Sequence, residues 1–426
     1  MQKYFRDQET LKKCRIYQML LENATEPHLS FHTPGHKVGG WDITELSFSD
    51  NLSAPRGCIL EAEKEIAEIL GAAKSFILTD GSTCGVLSML YAAKSLGVKS
   101  VALPKNGHKS VFNGCKLLGL TPLLYENEAP ASACTEIFDV ADGILLVSPD
   151  YYGNVPDLRW VREYCDERGK LLLVDGAHGG HLHEDKTRYA GTYADFWVDG
   201  VHKSLPAFTQ GAVVSARTER CAAALREGVD IFRTTSPSYP IMASVEYAVK
   251  YPRNVELEEA AWEFQKHPRI QSNDDWTKVC ALFGNRAFDV EKELEEEGIY
   301  AEFCDGNVLM FYLSPATKLR DFERLKTRLT ELFERYFCSP EKQTQRIPAP
   351  LVLRKNGQTE WVKLQDCAGR ICAADCGLFP PCVPLIWAGE RVEKDKIELL
   401  RKADNVFGIH EDKILVYKEE TGYEKR

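Results

Sequence analysis

The sequence lacks three features that would place it in other large protein classes. It has no apolar run near the roughly 20 residues that span a bilayer. Its formal net charge of −10 disfavours binding to nucleic acid or to an anionic membrane. Its 14 cysteines are never spaced as Cys-x-x-Cys pairs, and the charged first 20 residues lack the apolar segment of a signal peptide. We therefore expect reduced thiols, a cytoplasmic location, and neither a nucleic-acid nor a membrane partner.

The chain has 426 residues, enough for one large or two medium domains with sizeable cores. Residues 1–45 look like an arm, either disordered or packed against an active site. Over 46–245, continuous apolar strands alternate with helices, which predicts an α/β domain with a mainly parallel sheet. Over 246–426, long charged helices and short strands such as "NVLMFYL" and "APLVLR" predict a smaller α+β domain. Ligands of such parallel sheets bind at the carboxyl ends of the strands.

A lysine stands at one predicted strand end. The apolar residues Phe196, Trp197 and Val198 lead into His202 and Lys203 within "DFWVDGVHKSLPAFTQGA". Burial disfavours the ammonium form, and a neutral amine can attack a carbonyl to form a Schiff base. By itself, this pattern is explained more simply by a surface lysine that follows a strand. Three upstream features favour the reactive interpretation.

The first feature is a turn between a predicted strand and helix, "LTDGSTCGVLSML", which holds Gly81, Ser82 and Thr83. The start of a helix offers unpaired N–H groups and a positive dipole end, and the two hydroxyls add donors, so the turn can seat a phosphate. The same residues are also explained by an ordinary helix with a Ser or Thr N-cap. The glycine spacing excludes a Walker loop.

The second feature is "LLLVDGAHGGHLHED". Asp175 ends an apolar strand, where a carboxylate can keep a pyridinium nitrogen protonated, and His178 follows by three. A zinc site is the competing interpretation, although its spacing matches no standard pattern. A solvated histidine-rich loop is the preferred interpretation for His181 and His183. The zinc ligands would be His178, His181, His183, Asp175 and Glu184.

The third feature is His108 in "PKNGHKSVFNG", between a strand and a helix, where an imidazole can stack on a flat ring or cap the helix. A phosphate turn, a ring stacker, a pyridinium partner and a Schiff-base lysine thus follow one another on successive strands. Each is common singly, but the ordered set is not. It predicts pyridoxal 5'-phosphate (PLP) as the cofactor and no metal.

The chain resembles the Orn/Lys/Arg decarboxylase family, the group III PLP-dependent decarboxylases, and in particular its short bacterial members without the N-terminal wing domain. The resemblance spans 31–390 and rests on "FHTPGHKVGG", "DGSTCGV", "KNGHKSV", "SPDYYGNVPDL", "VDGAHGGH", "VHKSLPAFTQGA", "TTSPSYPIMAS" and "GRICAADCGLFPPCVPLIWAGE". It implies a fold type I (aspartate aminotransferase-like) large domain, a C-terminal domain, and a homodimer with active sites at the interface.

The resemblance also implies roles for residues. Lys203 would form the Schiff base, Asp175 would hold the pyridine nitrogen, and His108 would stack on the ring. His178 would lie near the phenolic oxygen, and His202 near the phosphate or the reacting carbon. The predicted catalytic residues are Lys203, His202, His108 and Asp175. The predicted cofactor-binding residues are Gly81, Ser82, Thr83, His108, Asp175, His178, His202, Lys203, Ser236 and Ser238, the last two for a phosphate in a second subunit.

The implied reaction is decarboxylation of an amino acid with a basic side chain (arginine, lysine or ornithine) to the amine, as in polyamine biosynthesis. The alternatives are an aminotransferase or side-chain lyase, and a PLP-binding relative without turnover. The predicted substrate residues are His36, Arg370, Asp375 and Glu390. The departures from the family pattern are Gly200 in place of Ser, Asp150 in place of Thr, Asp375 in place of Glu, and Cys382 and Val383 in place of Gly and Ile.

Overall fold

The computed structural model describes residues 4–26, 29–37, 40–126, 131–336, 358–379, 383–403 and 405–418. The chain divides into two compact units. The first comprises Met1–Lys266, Ser272–Val279 and Tyr312–Glu323, and the second comprises His267–Gln271, Cys280–Phe311 and Arg324–Arg426. The boundaries predicted after residues 45 and 245 stay predictions. No helix in the described ranges has the length and apolar character needed to cross a membrane.

Strands and helices alternate in the first unit. Its elements are α1 (Gln8–Lys12), α2 (Arg15–Thr25), α3 (Cys58–Leu70), β1 (Lys74–Leu78), α4 (Gly81–Ser95), β2 (Ser100–Pro104), α5 (Lys109–Leu118), β3 (Thr121–Tyr125), α6 (Thr135–Val140), β4 (Gly143–Val147), α7 (Leu158–Arg168), β5 (Leu171–Gly176), β6 (Phe196–Asp199), α8 (Val201–Ser204), β7 (Ala212–Ala216), α9 (Glu219–Phe232), α10 (Tyr239–Val249) and α11 (Val255–Phe264).

Seven strands form one sheet in the order β1-β7-β6-β5-β4-β2-β3. Strand β7 runs antiparallel to β1 and β6, and the remaining neighbours pair in parallel. Alternate strand residues enter different apolar clusters, as Leu172 and Val174 do in one and Leu173 in the other. Because successive side chains of a strand point to opposite faces, both faces of this sheet are covered. The predicted α/β fold with a mainly parallel sheet is confirmed.

The N-terminal helices pack within the first unit, α2 against α10 and α1 against α2. The backbone N–H groups of Arg15 and Ile16, at the start of α2, donate to the Glu246 carboxylate of α10 at 2.7 and 2.9 Å. The Asp7 N–H donates to the Tyr247 hydroxyl at 2.9 Å. A buried acceptor thus satisfies helix N–H groups that would otherwise lack partners. Residues 4–26 are an ordered part of the fold.

The remaining elements are β8 (Lys278–Leu282), α12 (Ala287–Glu296), β9 (Phe303–Cys304), β10 (Val308–Tyr312), α13 (Leu319–Arg335), β11 (Thr359–Lys363), β12 (Cys376–Leu378), β13 (Pro384–Ile386), α14 (Lys394–Lys402), β14 (Val406–Phe407), β15 (Ile409–His410) and β16 (Lys413–Tyr417). They form three small sheets, β8-β10-β9, β11-β16-β15 and β13-β12-β14. The predicted α+β character is confirmed, with "NVLMFYL" as β10. The "APLVLR" strand lies outside the described residues.

Candidate active site

The carboxyl ends of β5 and β6 lie side by side, because Asp175 pairs with Val198 and Gly176 with Asp199 in the parallel register. The short helix α8 follows β6 and carries Lys203. The Nζ atom of Lys203 lies 3.0 Å from Nε2 of His178, in the loop that follows β5. Two neighbouring strand ends thus bring an amine and an imidazole into contact, as the parallel-sheet rule predicts.

Asp175 is 4% exposed, and its carboxylate accepts a hydrogen bond from the Ala177 N–H at 3.2 Å. Burial raises the pKa of Asp175, while the positive charge of Lys203 lowers that pKa. Asp175 and Lys203 therefore lie within electrostatic reach of each other. This is a carboxylate that a cation stabilises in a water-poor position.

His178 has two further aromatic neighbours. Its Nδ1 lies 3.4 Å from the Tyr312 hydroxyl, and that hydroxyl donates to the His178 carbonyl oxygen at 3.2 Å. The Tyr151 ring contacts His178 edge-on, with the ring centroids 4.9 Å apart. Burial, followed by the charges of Lys203 and Lys278, holds the pKa of His178 well below its usual value. The imidazole is therefore neutral at pH 7.

His108 caps α5, where its Nδ1 accepts from the Ser110 N–H at 3.2 Å. Burial, with the charges of Lys203 and Lys109, lowers the pKa of His108 to about 4. On α8, His202 donates from Nδ1 to the Gly211 carbonyl oxygen at 2.9 Å, and burial lowers the pKa of His202. Both imidazoles are neutral at pH 7, and both lie within electrostatic reach of Lys203.

The predicted phosphate turn begins α4. Gly81 has a left-handed φ of 74°, which favours glycine, and its N–H donates to the Gln210 carbonyl oxygen at 2.9 Å. The Asp80 carboxylate accepts from the Thr234 N–H at 3.0 Å instead of capping α4. The first turn of α4, with half-buried Ser82 and exposed Thr83, thus keeps N–H groups available for an anion.

The "TTSPSY" segment begins at Thr234. Ser236 is exposed, and its N–H donates to Thr234 Oγ1 at 3.1 Å. Ser238 caps α10, where its Oγ accepts from the Ile241 N–H at 3.5 Å. The contact between Asp80 and Thr234 ties this segment to the start of α4.

The histidine-rich loop is not solvated, so that prediction is wrong. His181 and His183 are 6% and 5% exposed. His181 Nε2 lies 2.8 Å from the Asp275 carboxylate, and His183 Nδ1 donates to the Gly180 carbonyl oxygen at 2.7 Å. The partner of His181 lies 94 positions away in the sequence, and the partner of His183 is a backbone carbonyl. No local sequence pattern therefore indicated that the two side chains are buried. Within the part of the chain that the structure describes, no three His, Cys, Asp or Glu side chains are grouped as metal ligands.

Two departures from the family pattern have local physical reasons. A Cβ at Gly200 would lie 2.4 Å from the Ala177 carbonyl oxygen, so this backbone has no room for a serine. Asp150 is buried and holds its own turn, with its carboxylate accepting from the N–H groups of Tyr152 and Asn154 at 2.9 Å each.

The residues predicted at the substrate each have partners within their own unit. His36 pairs with Asp42 at 2.9 Å in the first unit. In the second unit, Arg370 pairs with Glu360 at 2.6 Å. Asp375 accepts from the Ala388 N–H at 2.8 Å. Glu390 is buried, accepts from the Trp387 N–H at 3.0 Å and pairs with Lys396. Their substrate roles stay predictions, and Cys382 lies outside the described residues.

Sequence reasoning missed Tyr312, Lys278 and Asp275. Lys278 is fully buried, pairs with Asp275 at 2.8 Å, and places its Nζ 3.8 Å from the Tyr312 ring centroid. The available sequence signal was a lysine that leads into the apolar run "VCALF", because a lysine beside a core needs a partner when it is buried.

Comparisons with known proteins agree with this geometry. The Orn/Lys/Arg decarboxylase major domain matches residues 40–140 and 127–267, and the family's C-terminal domain matches 327–407. An uncharacterized Bacillus subtilis protein, YaaO, is 28% identical over 95% of this chain and 98% of its own length. The Bacillus subtilis arginine decarboxylase is 26% identical over 91% of this chain and 93% of its own.

Among solved structures, the Escherichia coli constitutive lysine decarboxylase superposes with a TM-score of 0.70 at 19% identity, covering 95% of this chain and 82% of that one. This likeness identifies the fold as that of the fold type I PLP enzymes. The chain belongs to the Orn/Lys/Arg decarboxylase family, whose enzymes are PLP-dependent amino acid decarboxylases.

Proposed function

We propose that this protein decarboxylates a basic amino acid, with arginine, lysine and ornithine as the candidates, and releases the corresponding amine. The contact between Lys203 Nζ and the neutral His178 imidazole, beside buried Asp175, carries the proposal. The relatives support it, because they include arginine decarboxylases of similar length and a lysine decarboxylase. No observation favours an aminotransferase or a side-chain lyase over this reaction.

The donor set fits PLP. Lys203 would bind its aldehyde carbon, Asp175 would hold its ring nitrogen, His108 would stack on its ring, and His178 would lie near its phenolic oxygen. When bound, PLP supplies a carbonyl that takes up the substrate amine and a protonated ring that accepts the electrons left as CO2 departs. Asp175 suits that role because burial raises its pKa, so its carboxylate gains from a cationic partner such as a protonated ring nitrogen.

His202 is placed to hold or pass a proton. Its Nδ1–H is committed to the Gly211 carbonyl oxygen, so the basic atom of the neutral ring is Nε2. Its lowered pKa keeps Nε2 able to accept a proton at pH 7. We propose that Lys203 or His202 returns the proton to the carbon that loses CO2.

The first turn of α4 would bind the phosphate through its N–H groups and the hydroxyls of Ser82 and Thr83, with Gly81 allowing the turn. Ser236 and Ser238 would reach the phosphate of a second copy. On this proposal the protein is a homodimer with active sites at the interface.

We assign substrate binding to four residues that lie outside the group around Lys203. His36 and Arg370 would act near the substrate, with Arg370 orienting the α-carboxylate. Asp375 or Glu390 would pair with the distal cation. We further propose a cytoplasmic enzyme that supplies amines for polyamine biosynthesis.

The test is an incubation of purified, PLP-loaded protein with each of the twenty amino acids, with evolved CO2 and amine quantified together. We expect equal amounts of CO2 and amine with one basic amino acid. A keto acid product without CO2 would instead identify an aminotransferase. Absence of turnover despite full PLP loading would identify a binding relative.

A further inference from the structure

We infer that Tyr312 and Lys278 are positioning residues that hold the His178 imidazole with its proton on Nδ1, so that Nε2 accepts a hydrogen bond from Lys203. This inference rests on the proposed role of Lys203 and adds two residues from outside the sequence motifs. All of these residues belong to the first unit.

The hydrogen bonds run in one direction. The Lys203 amine can donate to His178 Nε2, which lies 3.0 Å away, whether or not the amine is charged. In a neutral imidazole the proton then resides on Nδ1, which faces the Tyr312 oxygen at 3.4 Å. The Tyr312 hydroxyl passes its own proton on, donating to the His178 carbonyl oxygen at 3.2 Å. In the opposite tautomer, Nδ1 and the Tyr312 oxygen would face each other as two acceptors with no proton between them.

The Tyr312 ring is in turn contacted by a buried lysine. The Lys278 ammonium lies 3.8 Å from the ring centroid, a cation–π contact shielded from water. Lys278 pairs with Asp275 at 2.8 Å, and Asp275 in turn contacts His181 at 2.8 Å. Because a buried cation needs such partners, the position of Lys278 is tightly determined.

The charges that face His178 act in opposite senses. Lys203, Lys278 and His108 lower its pKa, whereas Asp275 raises it. Replacing Lys278 by a neutral side chain removes one lowering influence and leaves Asp275 in place. The pKa of His178 should then rise, which distinguishes a role at the imidazole from a role in packing.

The experiment observes His178 directly. Full-length protein labelled with 15N-histidine is studied by NMR with and without PLP, and the His178 signals are assigned among the ten histidines by comparison with His178→Gln. Without PLP, where Lys203 carries a free amine, wild type should show the Nδ1–H tautomer. Tyr312→Phe should show a mixture of tautomers and, with PLP bound, a kcat lowered about tenfold, the effect of one lost hydrogen bond. Lys278→Met removes the cation that contacts the Tyr312 ring, so it should also show a mixture of tautomers, and its His178 should protonate at higher pH than in wild type.

The matched control is Tyr125→Phe, which also removes a buried hydroxyl that donates to a carbonyl, that of Leu145 at 3.0 Å. It should leave the His178 signals unchanged. Without PLP, an Nε2–H tautomer in wild type, or an unaltered tautomer in folded Tyr312→Phe or Lys278→Met, would overturn the inference. Failure of the proposed reaction would appear as absent turnover with these NMR signals intact, so the two failures are distinguishable.

Discussion

Nζ of Lys203 and Nε2 of His178 lie 3.0 Å apart although the residues are 25 positions apart in the chain. The contact joins the loop after β5 to the short helix α8 after β6, and β5 and β6 are parallel neighbours. It therefore depends on the register between β5 and β6, and a slip in that register would separate the amine from the imidazole.

Replacing Lys203 by Ala should abolish both the visible absorbance of lysine-bound PLP and turnover, because no other amine is proposed to bind the aldehyde. Absorbance spectra and CO2 release measure the two effects. Lys186→Ala, which changes an exposed lysine, is the control and should retain both. Survival of colour and activity without Lys203 would disprove its assignment.

Replacing Asp175 by Asn keeps the shape of the side chain and removes its charge. We expect a fall in kcat of about 100-fold or more, since a charge that stabilises the transition state in a water-poor site has effects of that size. Steady-state kinetics at saturating PLP measure it. An unchanged kcat would mean that Asp175 does not act on the ring nitrogen.

Replacing Gly200 by Ser restores the family's hydroxyl but places a Cβ 2.4 Å from the Ala177 carbonyl oxygen. The backbone must shift, so we expect the free energy of unfolding to fall by about 1–3 kcal/mol. Urea denaturation measures it. Gly35→Ser is the matched control, because nothing lies within 4 Å of a Cβ there. Equal stability of both variants would refute the close approach.

The stability of the protein should depend on pH through Asp199. Burial raises the pKa of this carboxyl to about 7, although Tyr189 and Trp197 lower it through hydrogen bonds. The unfolded value is about 3.9, so the folded state binds the proton more tightly. Stability from this group is complete below about pH 4 and is lost as pH rises towards 7.

The measurement is the free energy of unfolding between pH 4 and 8 for wild type and Asp199→Asn. The difference between the two curves should change by a few kcal/mol, about 1.4 kcal/mol per pH unit. Asp366→Asn, at an exposed carboxylate, should follow wild type. Parallel curves for wild type and Asp199→Asn would contradict the raised pKa.

The fold could be predicted because its signals are local. Strands covered on both faces must be apolar throughout, as in "GILLV" and "LLLV", and glycines such as Gly71 and Gly119 end helices in the left-handed conformation. The prediction that Lys203 and Asp175 meet followed from the same logic, since parallel strands end at one edge.

The sequence by itself determined the order of strands and helices, the ends at which polar residues gather, and the motifs that identify the family. Only the tertiary structure decided the neighbours of those residues. Tyr312 reaches His178 across 134 positions, and Asp275 reaches His181 across 94. Local periodicity reports whether a side chain faces a core, whereas its contact partner depends on how distant segments pack. The close approach of Gly200 to Ala177 likewise arises only when two loops meet.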